Sequence, residues 1–297
     1  MPYVEVESGI QIYFEEQGEG GRYILSSRSR IEHVNTYTMA LAHMGYHLVE
    51  IQLRGYGKST HIKDGYQSGW YDVWAADIVR IADYLNIPSF VYTGISHGAG
   101  VGWHILRSHE QRVLAFAGVV CGPHLRDGES MGRERRRTLE AASDEVRWAD
   151  NCYRRFKNDC ADALAGMNRD EKRMFCESAA EKLKETLDMK MEERLISPGK
   201  PFPDISTEEE LVCELSKIKT PCLFLGGMKD PISPPQCLVR DGKAVAGSKT
   251  VLYEDSAHGL ARRYPGQVAG EIDLFLRERH IFDRPETVDG STEEDGV

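Results

Sequence analysis

The chain predicts an α/β fold: a mostly parallel, eight-stranded sheet with helices on both faces and one long helical insertion. Three observations predict it. Short apolar runs alternate with helix-period segments over residues 23–121, and the alternation returns over residues 221–276. Between them, from about 124 to 216, no strand-like run occurs. Finally, Gly94-Ile95-Ser96-His97-Gly98 stands where an apolar run gives way to a helical one, the setting in which a tight turn exposes a side chain.

Taken in order, Val4–Glu7 and Ile10–Glu15 alternate apolar and polar residues around Ser8-Gly9, the pattern of an antiparallel hairpin. Tyr23–Leu25 forms a third strand, followed by a polar loop and a helix whose apolar face is Tyr37, Leu41 and Met44, ended by Gly45. Strand His47–Leu53, helix Trp70–Leu85, strand Phe90–Ile95, helix Gly98–Leu106 and strand Val113–Cys121 continue the rhythm. Strands separated by helices run parallel, because a return crossover is needed between them. In the insertion, Ala149, Cys152, Tyr153, Phe156, Cys160, Ala163, Leu164 and Met167 make one helical stripe, and Phe175, Cys176, Ala179, Leu183 and Leu187 a second. The α/β pattern resumes with strand Pro221–Leu225, helix Pro234–Val245, strand Thr250–Tyr253 and a last helix through Val268, Ile272, Phe275 and Leu276. The organisation is then a core of residues 1–123 and 217–282, a helical cap of 124–216, and an acidic tail of 283–297.

Composition narrows the function classes. With 37 basic and 47 acidic side chains, a formal net charge of −10 over 297 residues, the chain offers no basic field for nucleic acid or anionic lipid. Six acids against Arg284 in the last fifteen residues describe a solvated, disordered tail. The seven cysteines, at 121, 152, 160, 176, 213, 222 and 237, form no CxxC pair and read as reduced thiols. Met1–Glu5 has no leader pattern and no stretch reaches the roughly 18 apolar residues that span a bilayer. A soluble, cytoplasmic protein acting on a small molecule, without nucleic acid or membrane as partner, is the expectation.

The spacing Gly-x-Ser-x-Gly has a physical reason. A tight strand-to-helix turn strains the central residue and tolerates only small neighbours two positions either side, which pushes the Ser96 hydroxyl into the open at a helix N-terminus. A serine hydroxyl is a weak nucleophile, so it needs a general base and a carboxylate to orient that base. Asp230, in Gly226-Gly227-Met228-Lys229-Asp230-Pro231, follows one late strand, and His258, in Asp255-Ser256-Ala257-His258-Gly259, follows the next. The order Ser96, Asp230, His258 puts all three at the carboxyl ends of parallel strands, where open α/β sheets place their sites.

This ordered set, together with Leu53-Arg54-Gly55-Tyr56-Gly57-Lys58-Ser59, resembles the α/β-hydrolase fold family in its capped form, from the opening hairpin to about residue 280. The resemblance implies acyl transfer to Ser96, with His258 as base and then acid, and cleavage of an ester, lactone, thioester, amide or activated carbon–carbon bond, without a cofactor. It also implies a cap that roofs the pocket, and it allows a homodimer. Two departures stand out. Where capped members carry His-Gly after the third strand, this chain reads Ser26-Ser27-Arg28, and where many carry Asp before the Arg-Gly turn it has Gln52. Loss of one oxyanion donor costs about 3–4 kcal/mol of barrier. Ser27 or Arg28 presents its N–H instead, a side chain substitutes, or hydrolytic power is lost.

The remaining candidates carry two readings each. The backbone N–H of His97 is the other oxyanion donor, while its ring packs under the cap. Arg28 either binds a substrate carboxylate or enolate beside the oxyanion, or is a solvated loop arginine. Ser26 and Trp70 are candidate substrate contacts; Trp70, Tyr71 and Trp74 line a pocket rim or fill the core. Arg133–Arg137 attracts an anionic substrate or forms a solvated helix face. The other histidines, at 33, 43, 47, 61, 104, 109, 124 and 280, show no metal-ligand spacing, so no metal is expected. Beside hydrolysis stand two further readings: proton-transfer chemistry on the same fold, motivated by the altered loop, and a ligand-binding protein with a vestigial triad.

Overall fold

The computed structural model describes residues 2–62, 65–66, 69–126, 133–164 and 167–283. Eight strands form one sheet in the order β1-β2-β4-β3-β5-β6-β7-β8. They are β1 (Tyr3–Glu7), β2 (Ile10–Gln17), β3 (Tyr23–Arg28), β4 (His47–Gln52), β5 (Phe90–Ile95), β6 (Val113–Val119), β7 (Cys222–Gly227) and β8 (Lys249–Tyr253). The β1–β2 hairpin and the β2–β4 pair are antiparallel, and all later pairs are parallel. Around the sheet lie α1 (Tyr37–His43), α2 (Trp70–Tyr84), α3 (His97–His109), α9 (Pro235–Ala244), α10 (Leu260–Arg263) and α11 (Pro265–Glu278). Between β6 and β7 come α4 (Arg133–Ala141), α5 (Glu145–Ala163), α6 (Arg169–Leu187), α7 (Met191–Arg194) and α8 (Glu208–Leu215).

The parallel strands are apolar throughout because both faces are covered. On one face Leu25, Val49, Phe90, Tyr92 and Phe116 pack under α2 and α3; on the other Ile24, Leu48, Val91, Ala117 and Leu223 pack under α1 and α11. The two stripes read in the insertion are α5 and α6, which build small cores of their own around Trp148, Cys152 and Phe175. Two boundaries differ from expectation. The third strand runs on through Ser26, Ser27 and Arg28, which pair with Glu50, Ile51 and Gln52 of β4. And α8, expected as part of the cap, buries Leu211 and Leu215 in the main core, and α7 ties its buried Glu193 to Arg30 and the Gly57 N–H, so the separately packed helices are α4–α6. Among the described residues no helix is long and apolar enough to cross a membrane. The acidic tail beyond Asp283 and the side chains of Arg133, Glu134 and Arg135 lie outside the described residues.

Candidate active site

The turn between β5 and α3 takes the form its glycines require. Ser96 has φ 52° and ψ −107°, a left-handed conformation that strains any residue with a Cβ. Its neighbours cannot be larger: a Cβ on Gly94 would stand 2.4 Å from the Gly98 carbonyl carbon, and one on Gly98 would stand 2.2 Å from the Ser27 carbonyl oxygen. The helix begins at His97, so the N–H groups of its first turn have no intrahelical acceptor and its positive end lies at Ser96.

Two loops from the far end of the sheet bring their side chains to this serine. His258 Nε2 lies 3.0 Å from Ser96 Oγ, and His258 Nδ1 lies 2.8 Å from Asp230 Oδ2. Asp230 is 3 % exposed, and its other oxygen accepts N–H groups from Ile232 at 2.8 Å and Ser233 at 3.0 Å. An ionised carboxylate only accepts, so Nδ1 carries the proton and the Nε2 lone pair faces the serine. Gly227 lets the two loops touch, since a Cβ there would stand 2.2 Å from the Ser256 carbonyl oxygen; the Lys229 N–H donates to that same oxygen. Ser233 Oγ in turn accepts the Gly122 N–H, tying in the end of β6.

The Arg-Gly turn after β4 is a brace rather than a contact to the serine. Arg54 is buried and binds both oxygens of Asp77, at 2.6 and 2.9 Å, with Glu7 and Tyr66 on its remaining nitrogen. Gln52 fills the hollow above Gly57, bonding the Ser29 carbonyl and the Lys58 N–H, which is a structural role for the departure at that position.

Several expected contacts are placed elsewhere. Arg28 ends β3; its carbonyl accepts the Leu53 N–H, so its peptide faces β4 and not Ser96. Its guanidinium pairs with Glu50 at 3.2 Å, and although burial opposes its charge, Glu50 and Glu32 more than offset this and raise its pKa. Arg28 is thus neither an oxyanion donor nor a free anion binder. Ser26 is sealed beside Tyr37 on the α1 face of the sheet, and Trp70 is core, edge-on to Tyr66 and beside Trp74, so both are interior side chains rather than an exposed rim. Ser27 turns its side chain to the other face, where Oγ lies 2.6 Å from the Tyr92 hydroxyl, and its peptide faces the serine turn. His97 opens α3, adjacent to Ser96.

Sequence reasoning did not find three groups near these residues. His124, just before α4, is pushed down to about 4 by burial, with the charges of Lys200 and His258 adding, and its Nδ1 is sealed without a partner. Glu185 on α6 is pushed up to about 7 by burial and by the like charges of Glu181 and Glu32. Tyr92 was legible only as one residue of an apolar strand. Among the described residues, no group of three or more His, Cys, Asp or Glu side chains is arranged to hold a metal ion.

The profile of the alpha/beta hydrolase fold matches residues 37–261, a span that takes in the serine turn, Asp230 and His258. The chain belongs to the alpha/beta hydrolase fold family. The family match and a curated relative named as a bifunctional esterase/perhydrolase of Acinetobacter calcoaceticus support an enzyme of the hydrolase type. A relative across most of its length is the AB hydrolase superfamily protein YisY of Bacillus subtilis, 24 % identical over 265 residues, covering 86 % of this chain and 92 % of that protein. Among solved structures, the esterase RhEst1 of a Rhodococcus species superposes with a TM-score of 0.72 at 19 % identity, covering 93 % of this chain and 99 % of that one. The enol-lactonase of Burkholderia xenovorans superposes at 0.67 and 18 % identity, covering 93 % of this alpha/beta hydrolase and all of the lactonase.

Proposed function

We propose that the chain is a serine hydrolase that cleaves an ester or lactone of a small to medium organic molecule, with Ser96 as nucleophile, His258 as general base and then acid, and Asp230 as the carboxylate that orients the histidine. One observation carries this reading: a continuous contact chain from a buried Asp230 through His258 to a Ser96 hydroxyl held on a strained turn at a helix N-terminus. Ser96 Oγ attacks the carbonyl carbon as its proton passes to His258 Nε2; the imidazolium then protonates the departing alkoxide, and a water repeats the sequence on the acyl group. The developing oxyanion lies between the first turn of α3, beginning at His97, and the Ser27 end of β3. The chemistry asks for no cofactor, and helices α4–α7 would roof the pocket.

The names of the similar proteins lend support, since they include an esterase and a lactonase. A second reading keeps Ser96 and His258 but replaces acyl transfer by proton transfer, as in a lyase or isomerase. The turned-away peptide of Arg28 favours it, because that strand end then supplies one donor fewer.

Intact mass after exposure to a fluorophosphonate separates the two. A single adduct, absent in Ser96→Ala and His258→Ala, is the expected result. Folded wild-type protein that takes up no adduct would count against acyl transfer and for the second reading.

A further inference from the structure

Ser27 stands near the end of β3, and the structure shows what its side chain does. Tyr92 sits in register with Leu25 on the central strand β5, two residues back from Ser27 on the same face of the sheet. Its hydroxyl donates to the Gly98 carbonyl oxygen at 2.8 Å and lies 2.6 Å from Ser27 Oγ. A phenol has one proton. With that proton directed to Gly98, the Ser27 hydroxyl must donate to the phenolic oxygen, so the chain Ser27→Tyr92→Gly98 has a single direction. All three residues are buried, and the Ser27 carbonyl lies against the Gly98 Cα, where no Cβ fits. The Ser27 end of β3 and the first turn of α3 are therefore joined twice: by backbone contact and by one tyrosine hydroxyl.

We propose that Tyr92 is a positioning residue for the hydrolytic reaction, stapling the Ser27 end of β3 to the first turn of α3 so that the gap for the oxyanion keeps its width. This rests on the reading of the chain as a serine hydrolase. Tyr92 touches neither substrate nor reacting atoms; it acts through the two backbone segments that do. Burial raises the phenol's pKa, which keeps it a donor throughout the working range. A gap that widens by a fraction of an ångström weakens donors in the transition state more than in the bound substrate, so kcat falls while KM holds.

The experiment compares wild type, Tyr92→Phe, Ser27→Ala and the double variant for hydrolysis of p-nitrophenyl acetate and for inhibition by butylboronic acid, which forms a tetrahedral adduct with an active serine. Melting temperatures are measured alongside. Expected for Tyr92→Phe is a kcat about tenfold lower with KM within twofold, and a boronic-acid inhibition constant raised by a similar factor. Ser27→Ala shows a smaller loss of the same kind, and the double variant matches Tyr92→Phe, because both changes cut one chain. A folded Tyr92→Phe with kcat and boronic-acid affinity within twofold of wild type overturns the proposal. Should Tyr92→Phe fail to fold, Ser27→Ala decides: wild-type kcat and boronic-acid affinity there overturn it equally. A wild-type protein that neither hydrolyses the ester nor binds the boronic acid removes the hydrolase reading and this proposal with it, whereas an active wild type with unaffected variants removes this proposal alone.

Discussion

His258 and His104 each hold an aspartate close on Nδ1, yet only His258 is set up to move a proton. His258 has Asp230 at 2.8 Å and His104 has Asp72 at 2.6 Å. The difference lies on the other nitrogen. His258 Nε2 meets the Ser96 hydroxyl, a group that can give up its proton, while His104 Nε2 accepts the Phe202 backbone N–H at 3.0 Å, a group that cannot. The surroundings differ in the same sense: the His258 side chain is 26 % exposed, whereas His104 is sealed, stacked between Tyr71 and Phe202. The carboxylates are reversed, with Asp230 enclosed by peptide N–H groups and the Asp72 side chain 58 % exposed. An aspartate–histidine pair is thus not in itself a catalytic signature; what stands on Nε2 decides whether the pair is a base or a clamp. Here the clamp fastens the segment returning from α7, helped by the Arg107–Asp204 ion pair.

The widest separation between the two pairs comes from the carboxylates. Asp230→Asn should lower kcat for p-nitrophenyl acetate by about three to four orders of magnitude, because the amide lets the imidazole take the wrong tautomer. Asp72→Asn should leave kcat within about threefold. Equal losses at the two positions in a rate assay on folded protein would erase the distinction. Next in size, His104→Leu removes an acceptor and orphans the buried Phe202 N–H; the expected cost is about 2 kcal/mol, a melting temperature lower by a few degrees, with kcat little changed. Differential scanning fluorimetry beside the rate assay checks both halves.

The smallest effect concerns helix α6, and its sign follows from proton binding. Glu185 has its pKa raised to about 7 by burial, then by Glu181 and Glu32. Between its ordinary value and 7 the folded chain holds a proton that the unfolded chain has lost, so stability falls as pH rises through this window, and the penalty is complete above it. Glu185→Gln should therefore raise stability at pH 8 by about 1 kcal/mol, after discounting for its partial exposure, and change nothing at pH 4. Denaturant melts at the two pH values measure this; a variant no more stable at pH 8 would mean the carboxylate is solvated.

What the sequence made legible was governed by short-range sterics and by order along the chain. The serine turn was readable because Gly94 answers to a clash within five residues, at Gly98, and Asp230 and His258 because each follows a strand; the clash that keeps Gly98 a glycine comes from the distant Ser27 carbonyl. The Ser27–Arg28 end of β3 was misread as loop because its polarity is satisfied by residues remote in sequence: Tyr92 for Ser27, Glu50 for Arg28. Trp70 failed for a related reason, since its spacing to Trp74 is the same whether the ring lines a rim or, as here, fills the core. His104 gave no sign at all, its partners lying on α2 and on the segment after α7.

The backbone of Ser96 carries a consequence for how such a chain responds to selection. A non-glycine residue at φ 52° costs about 1–3 kcal/mol, an appreciable part of the 5–15 kcal/mol that holds a typical domain folded. Glycine relieves that cost at this position and at the same time removes the hydroxyl. With Ser96 as the proposed nucleophile, heat resistance and turnover pull on the same residue in opposite directions: lineages screened for survival at high temperature alone would drift toward Ser96→Gly and become sturdier, silent proteins, so any thermostabilisation of this scaffold has to be scored on activity in the same round.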